Sequence, residues 1–510
     1  MDAGRRRNWR RWSHRCWECP MAEATTPSQN FIDGKWVNAV NGGTYQRHNP
    51  FDQSLVATYQ DSDERDAADA IDAARQAFDK GPWSRKSAAE RGAVLRRAAS
   101  LMRDRAQTLA DTMTREVGQP KSEMLRAVAG AADALDYYAG LIVERRDEAI
   151  GGQRRDAIGM ILKEPVGVVG SLTAWNAPLS VTHKACPGLA AGCTVVIKPA
   201  HQSSGAVVQF ARILEEAGLP PGAFNVVTSA RENGAVVGQA IAASDKVDMV
   251  TFTGSSATGK AVMRAAAGNL KRVKLELGGK SPNIVFADAA SLDHTASVVA
   301  KGIFRLAGQS CQAGSRVLVQ ESVKEEFVEL LLKHVAAARM GDPFAEDTMC
   351  GPLVSEDQLR RVESYIEAGK SSARLIHGGK RPDRADLRGG FFLEPTIFDQ
   401  VGADSRIAQE EIFGPVLSIL TFKDVEHAIA IANCTIFGLV AGCWTTNLDT
   451  AMNVARAVRS GIVWVNCFRD DSPLKYMPTG FQKQSGIGAE MGPEGLEAFL
   501  VTKSIMIKLA

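Results

Sequence analysis

Along the chain the spacing of apolar residues changes twice. From about 61 to 145 they return at helical intervals, rich in alanine, as in "DAADAIDAARQAF" and "AVLRRAASLMRDRAQTLADTMTREVG". That period predicts amphipathic helices packed on another layer, interrupted at Gly118 and Pro120. From 166 the rhythm becomes short β-branched runs: "VGVVGSL" (166–172), "CTVVIKP" (193–199), "FNVV" (224–227), "DMVTFTG" (248–254) and "RVKLELGG" (272–279). Helical stretches at 203–219, 234–244 and 257–268 separate them. Such alternation predicts a parallel sheet wound by right-handed crossovers, with ligands at the carboxyl ends of its strands. A second α/β alternation fills about 283–470, from "SRVLVQ" (315–320) to "GIVWVNCF" (461–468). The end, "FLVTKSIMIKLA" (499–510), reads as a strand with no partner nearby in sequence. An open apolar edge of that kind calls for cover by another subunit.

Composition narrows the class. A chain of 510 residues exceeds one core, so two or three domains are expected. With 45% hydrophobic and 23% charged residues it reads as a soluble globular enzyme. A net charge of +2 gives no footprint for nucleic acid or an acidic partner. The first twenty residues hold six arginines against Asp2 and Glu18, so the remainder sums to −2. That stretch, "MDAGRRRNWRRWSHRCWECP", has no apolar h-region. It reads as a transit segment or, by preference, a non-native extension before Met21, because ordinary globular sequence starts near "NFIDGKWVNAV". Nine scattered cysteines do not form a disulfide framework and fit a reducing, cytoplasmic setting. Cys16 and Cys19 lack a second pair at metal spacing, so no metal site is expected. No run approaches the ~18 apolar residues of a membrane span.

Several short stretches carry chemistry. In "GQSCQAGSR" (308–316), Cys311 is flanked by glycines and small polar residues that leave its sulfur uncovered. A nucleophilic thiol needs a lowered pKa or a neighbouring base. Glu276 ends an apolar strand before Gly278 and Gly279, where burial would raise its pKa toward that of a general base. A salt-bridged strand end fits it equally on its own. Asn176, in "LTAWNAPLS", is placed either to donate to an oxyanion or to make a turn. "FTGSSATGK" (252–260) is a strand, a Gly-containing turn and a helix start, suited to a phosphate but unlike a P-loop or G-x-G-x-x-G. Lys198 follows a strand, and Glu411 with Phe413 precedes a Gly-Pro turn.

In order and spacing these segments are similar to one family. From about 30 to 508 the chain resembles the aldehyde dehydrogenase superfamily, through "AWNAP", "IKPAH", "FTGSSATG", "LELGGKSP", "GQSCQAGSR", "EEIFGPV" and "WVNCF". The resemblance implies an α/β fold with a Rossmann-like cofactor domain (21–143 and 165–279), an α/β catalytic domain (280–480) carrying the Cys, and oligomerisation strands (144–164 and 488–510), with 1–20 outside. It implies NAD-dependent oxidation of a small-molecule aldehyde to an acid by a homodimer or homotetramer. Cys311 would be the nucleophile, Asn176 with the Cys311 N–H the oxyanion donors, and Glu276 the base that activates water. Lys184 matches a site-ordering lysine if one residue is missing after Asn176. Cofactor contacts fall on Thr173, Trp175, Lys198, His201, Gly254, Ser255, Gly259, Leu277, Glu411 and Phe413, and the substrate pocket on Ala177, His183 and Phe468.

Four departures qualify that transfer. Ala174 and Ala177 stand where the family has a Pro and an aromatic, which widens the channel. His201 replaces a Glu usual in NAD-preferring members, which leaves NADP possible. Thr479 and Ala489 replace a usual Gly and Arg, and "RDDSPLKY" (469–476), expected at the substrate entrance, matches no specificity signature. Rival readings are a CoA-acylating dehydrogenase, a cofactor-independent Cys esterase and a non-catalytic binding protein. The presence of both Glu276 and Cys311 counts against the first and the last.

Overall fold

A computed structural model describes residues 26–151, 155–469 and 476–509. The N-terminal extension, with Cys16 and Cys19, and most of "RDDSPLKY" lie outside them.

The first alternation folds into an eight-stranded sheet. Its five central strands are parallel, in the spatial order Phe224–Val226, Thr194–Lys198, Val168–Leu172, Met249–Thr253, Arg272–Glu276. Chain order thus reverses between Val168–Leu172 and Met249–Thr253, which opens a crevice at their carboxyl ends. These strands read as unbroken apolar runs because both faces are covered. Val169, Val195 and Val226 pack against the helices between residues 88 and 144 and Ser204–Glu216. Their neighbours Val168, Val196 and Val250 pack against Glu64–Asp79, Arg231–Ala243 and Ser256–Ala266. Asn30–Ile32 borders this sheet on one side, and Gly486–Ile487 pairs antiparallel with Leu275 and Glu276 on the other.

The long helical stretch before Gly118 is two helices, Ala88–Asp104 and Ala106–Val117, with the break at Arg105. Gly118 caps the second at φ 72°, and the next helix starts at Lys121, just after Pro120. The second alternation forms a seven-stranded sheet, with Arg316–Gln320 and Pro282–Val285 near its centre and only the edge strand Arg374–His377 antiparallel.

The terminal strand has no partner nearby in sequence, as expected, and finds a distant one. Leu500–Lys508 pairs antiparallel with Ala157–Pro165 through all nine residues, and Glu148–Ile150 adds a third strand beyond. Sequence proximity could not show this, because Lys503 and its partner Glu164 lie 339 positions apart. The segment 488–510 also holds a helix, Gly492–Glu497. All seven described cysteines are free, and no described helix is long and apolar enough to cross a membrane.

Candidate active site

Glu276 is the last residue of its strand, so its carboxylate projects into the space between the two sheets' loops. Cys311 reaches it from the loop before Arg316–Gln320, and its thiol donates to Glu276 Oε1 at 3.3 Å. That loop is held in an unusual shape. Leu306, Ala307 and Gly308 all have positive φ, which costs non-glycine residues of order 1 kcal/mol each. The buried Gln309 side chain offsets this: its amide donates to the Leu306 and Pro352 carbonyls, and its oxygen accepts from the Val354 N–H at 2.9 Å. On the other side, a Cβ on Gly279 would run into the Cys311 carbonyl oxygen. Only glycine lets the Glu276 turn and the Cys311 loop approach this closely. Asn176 donates its amide to the Gln309 carbonyl at 3.2 Å, beside the same loop.

Glu276 is embedded in a charged chain. Lys184, wholly buried, donates to Glu276 Oε2 at 3.2 Å and to Glu490. Thr253 Oγ1 donates to the same Glu276 oxygen at 3.2 Å, and Lys274 lies 3.4 Å from Glu490. Burial, reinforced by the charge of Glu490, raises the Glu276 pKa against the pull of Lys184. Burial would raise Glu490 too, but Lys184 and Lys274 outweigh it and hold that carboxyl down to about 2. Cys311 is pushed well above the ordinary thiol value, by burial first and then by the adjacent Glu276 charge. The thiol thus rests in hydrogen-bond contact with a carboxyl group placed to take its proton. Glu490 and Gln309 had not been singled out from sequence. A buried lysine needs a counter-charge, but nothing local points to a residue 306 positions away.

Other expected residues line the crevice of the first sheet. Thr173 follows Val168–Leu172, and Lys198 ends Thr194–Lys198. Lys198 is lowered to about 8 by burial and donates to the Pro199 carbonyl at 3.1 Å. His201 opens a short 3-10 turn just beyond. Gly254 donates its N–H to the Glu276 carbonyl, and Ser255 caps the helix Ser256–Ala266. A Cβ on Gly259 would strike the Leu277 side chain, so helix and strand end pack without a gap. Trp175 and Phe413 meet edge to face at 5.4 Å. Glu411 accepts from the Gly279 N–H at 3.0 Å through one oxygen, and burial raises it to about 7.

Beside the Cys311 loop lies a cavity of about 330 Å³, with Phe468 in its wall. Neither of the other two expected pocket residues lines it. Ala177 is exposed elsewhere, and His183 is half-buried on Val181–Lys184 near Glu490, its Nδ1 out of solvent and its pKa lowered by desolvation. The charges of Glu490, Lys184 and Lys274 all reach its ring there. No cluster able to hold a metal occurs among the described residues.

Fold and site together define an α/β enzyme with a nucleotide-type crevice beside a thiol–carboxylate pair. The model of the aldehyde dehydrogenase family matches residues 36–505, and the chain belongs to that family, as an oxidoreductase. Betaine aldehyde dehydrogenase of Bacillus subtilis is 41% identical over 477 residues, covering 93% of this chain and 96% of its own. Among solved structures, an NAD-dependent aldehyde dehydrogenase from Sinorhizobium meliloti matches with a TM-score of 0.91 and 41% identity over 95% of each chain. Betaine aldehyde dehydrogenase from Staphylococcus aureus in complex with NAD+ matches with a TM-score of 0.91 and 38% identity, over 94% of this chain and 95% of its own.

Proposed function

We propose that the protein oxidises an aldehyde to a carboxylic acid with NAD, through a covalent adduct on Cys311. The observation that carries this is the thiol of Cys311 donating to Glu276, a buried carboxylate of raised pKa, at the edge of the crevice. Glu276 takes the thiol proton as the sulfur adds to the aldehyde carbon, giving a thiohemiacetal. The Asn176 amide and the Cys311 backbone N–H hold the oxyanion, and one such donor is worth about 3–4 kcal/mol in comparable sites. Bound NAD supplies the two-electron acceptor that turns this adduct into a thioester. After that proton passes to solvent, Glu276 takes a proton from the water that attacks the thioester, the acid leaves, and the sulfur regains a proton.

The crevice fits such a cofactor. Lys198 and the free oxygen of Glu411 suit ribose hydroxyls, Ser255 with the start of its helix suits a pyrophosphate, and Thr173, Trp175, Leu277 and Phe413 supply the walls. His201 sets no carboxylate against a 2′-phosphate, so NADP is accepted as well. Seven free thiols among the described cysteines suit a cytoplasmic setting. Aldehyde-dependent NADH formation should vanish in Cys311→Ala while NAD still quenches tryptophan fluorescence. Undiminished turnover in that variant would remove the thiol from the mechanism, and ester cleavage unaffected by NAD without any NADH would favour the esterase.

A further inference from the structure

The cavity beside Cys311 is basic. Lys301 and Arg305, from Leu292–Phe304 and its C-terminal cap, line it with Arg469. No carboxylate is among its described lining residues, and Arg469 has a partner of its own. Arg305 does touch one acid, Glu123, at 3.4 Å, but Glu123 is shared with Arg126, so two guanidiniums divide one negative charge. Lys301 is exposed, and no described carboxylate pairs with it. The cavity wall also touches the loop that carries the reacting sulfur, three residues beyond it at Gly314. Phe468 in its wall packs over Gly302 and Gly314, and Gly314 donates its N–H to the Gly302 carbonyl. Cys311 packs against the same apolar cluster as Phe468. The charge of Arg469 reaches the thiol, where it favours the thiolate. A quaternary ammonium group, by contrast, is recognised by a cage of aromatic faces. This wall offers one phenyl ring, Phe468, and no Trp or Tyr.

We propose that this cavity receives the anionic end of the substrate, so that the enzyme acts on short aldehydes carrying a carboxylate or phosphate, with Lys301 and Arg305 binding that group. The proposal rests on the aldehyde dehydrogenase reading above. It separates this chain from the relatives named for betaine aldehyde, whose substrate carries the opposite charge.

The test compares kcat/KM of the full-length enzyme, with NAD, for four aldehydes of matched length: one ending in carboxylate, one in phosphate, one in a neutral methyl ester and one in trimethylammonium. The anionic pair should exceed the ester by about tenfold, as expected for a charge-assisted contact, with trimethylammonium last. The better of the two anions identifies the source of the charge. Lys301→Gln and Arg305→Gln should each raise KM for the anionic aldehyde more than for the ester, and Lys301→Arg should preserve it. Turnover of the ester or the trimethylammonium aldehyde equal to that of both anions would overturn the proposal. If that turnover still depended on Cys311, the dehydrogenase reading would stand alone. Absence of turnover with all four would overturn both.

Discussion

Burial raises the pKa of Glu276, and its two charged neighbours then pull it in opposite directions. Its carboxylate form is the active base, so turnover should rise with pH through a pKa above the usual carboxylate range. Glu490→Gln removes a negative charge that raises this pKa, so the acidic limb of the kcat–pH profile should move to lower pH. Lys184→Met removes the cation that lowers it, so the limb should move up. The second change also strips Glu490 of its nearest partner and should cost about 3–5 kcal/mol in denaturant unfolding. At this scale the sequence was informative where chemistry is local. Cys311, Glu276 and Asn176 stand in short stretches whose small neighbours and strand-end positions are visible in the chain itself. Glu490 was not legible, because its role exists only through a lysine brought to it by the fold.

Elements set how near the reacting groups can come. Gly279 connects the strand end bearing Glu276 to Pro282–Val285, and the Cys311 carbonyl occupies the space a side chain would need. Gly279→Ala should therefore displace the thiol and lower kcat by about 10²-fold, the cost of roughly 1 Å of misplacement. The accompanying overpacking should cost about 1–3 kcal/mol, read from a thermal melt. A melt shift with normal kcat would show that the loop moves without carrying the thiol away. Strands such as Thr194–Lys198 were legible because burial on both faces writes them as apolar runs. Gly486–Ile487, two residues long, has no period to read and is a strand only because Leu275 and Glu276 lie beside it. The break at Arg105 was equally hidden, since both helices bury one continuous apolar stripe.

At the scale of the molecule, the three-stranded sheet is the feature that asks for a second copy. Leu500–Lys508 is its outer strand, with no neighbour on its far side among the described residues, and Met506 on it is 85% exposed. We expect a homo-oligomer built on this surface. Ile158 and Ile507, exposed and directly paired across the sheet, should be sensitive points. Their double replacement by Asp should lower the sedimenting mass in analytical ultracentrifugation at unchanged helix content. An unaltered mass would place the interface elsewhere.

The contact between Lys184 and Glu490 also has a temporal side. Lys184 leaves the ribosome 92 residues before Glu276 and 306 before Glu490, the second of its two carboxylate partners. The strand that flanks Glu276, Gly486–Ile487, emerges equally late. Throughout the later part of synthesis the growing polypeptide thus holds a nearly complete nucleotide crevice in which Lys184 has Glu276 but not yet its second carboxylate. Its general base is set only as the C-terminal segment closes over the first sheet, and a nascent chain that stops short of that segment remains chemically silent.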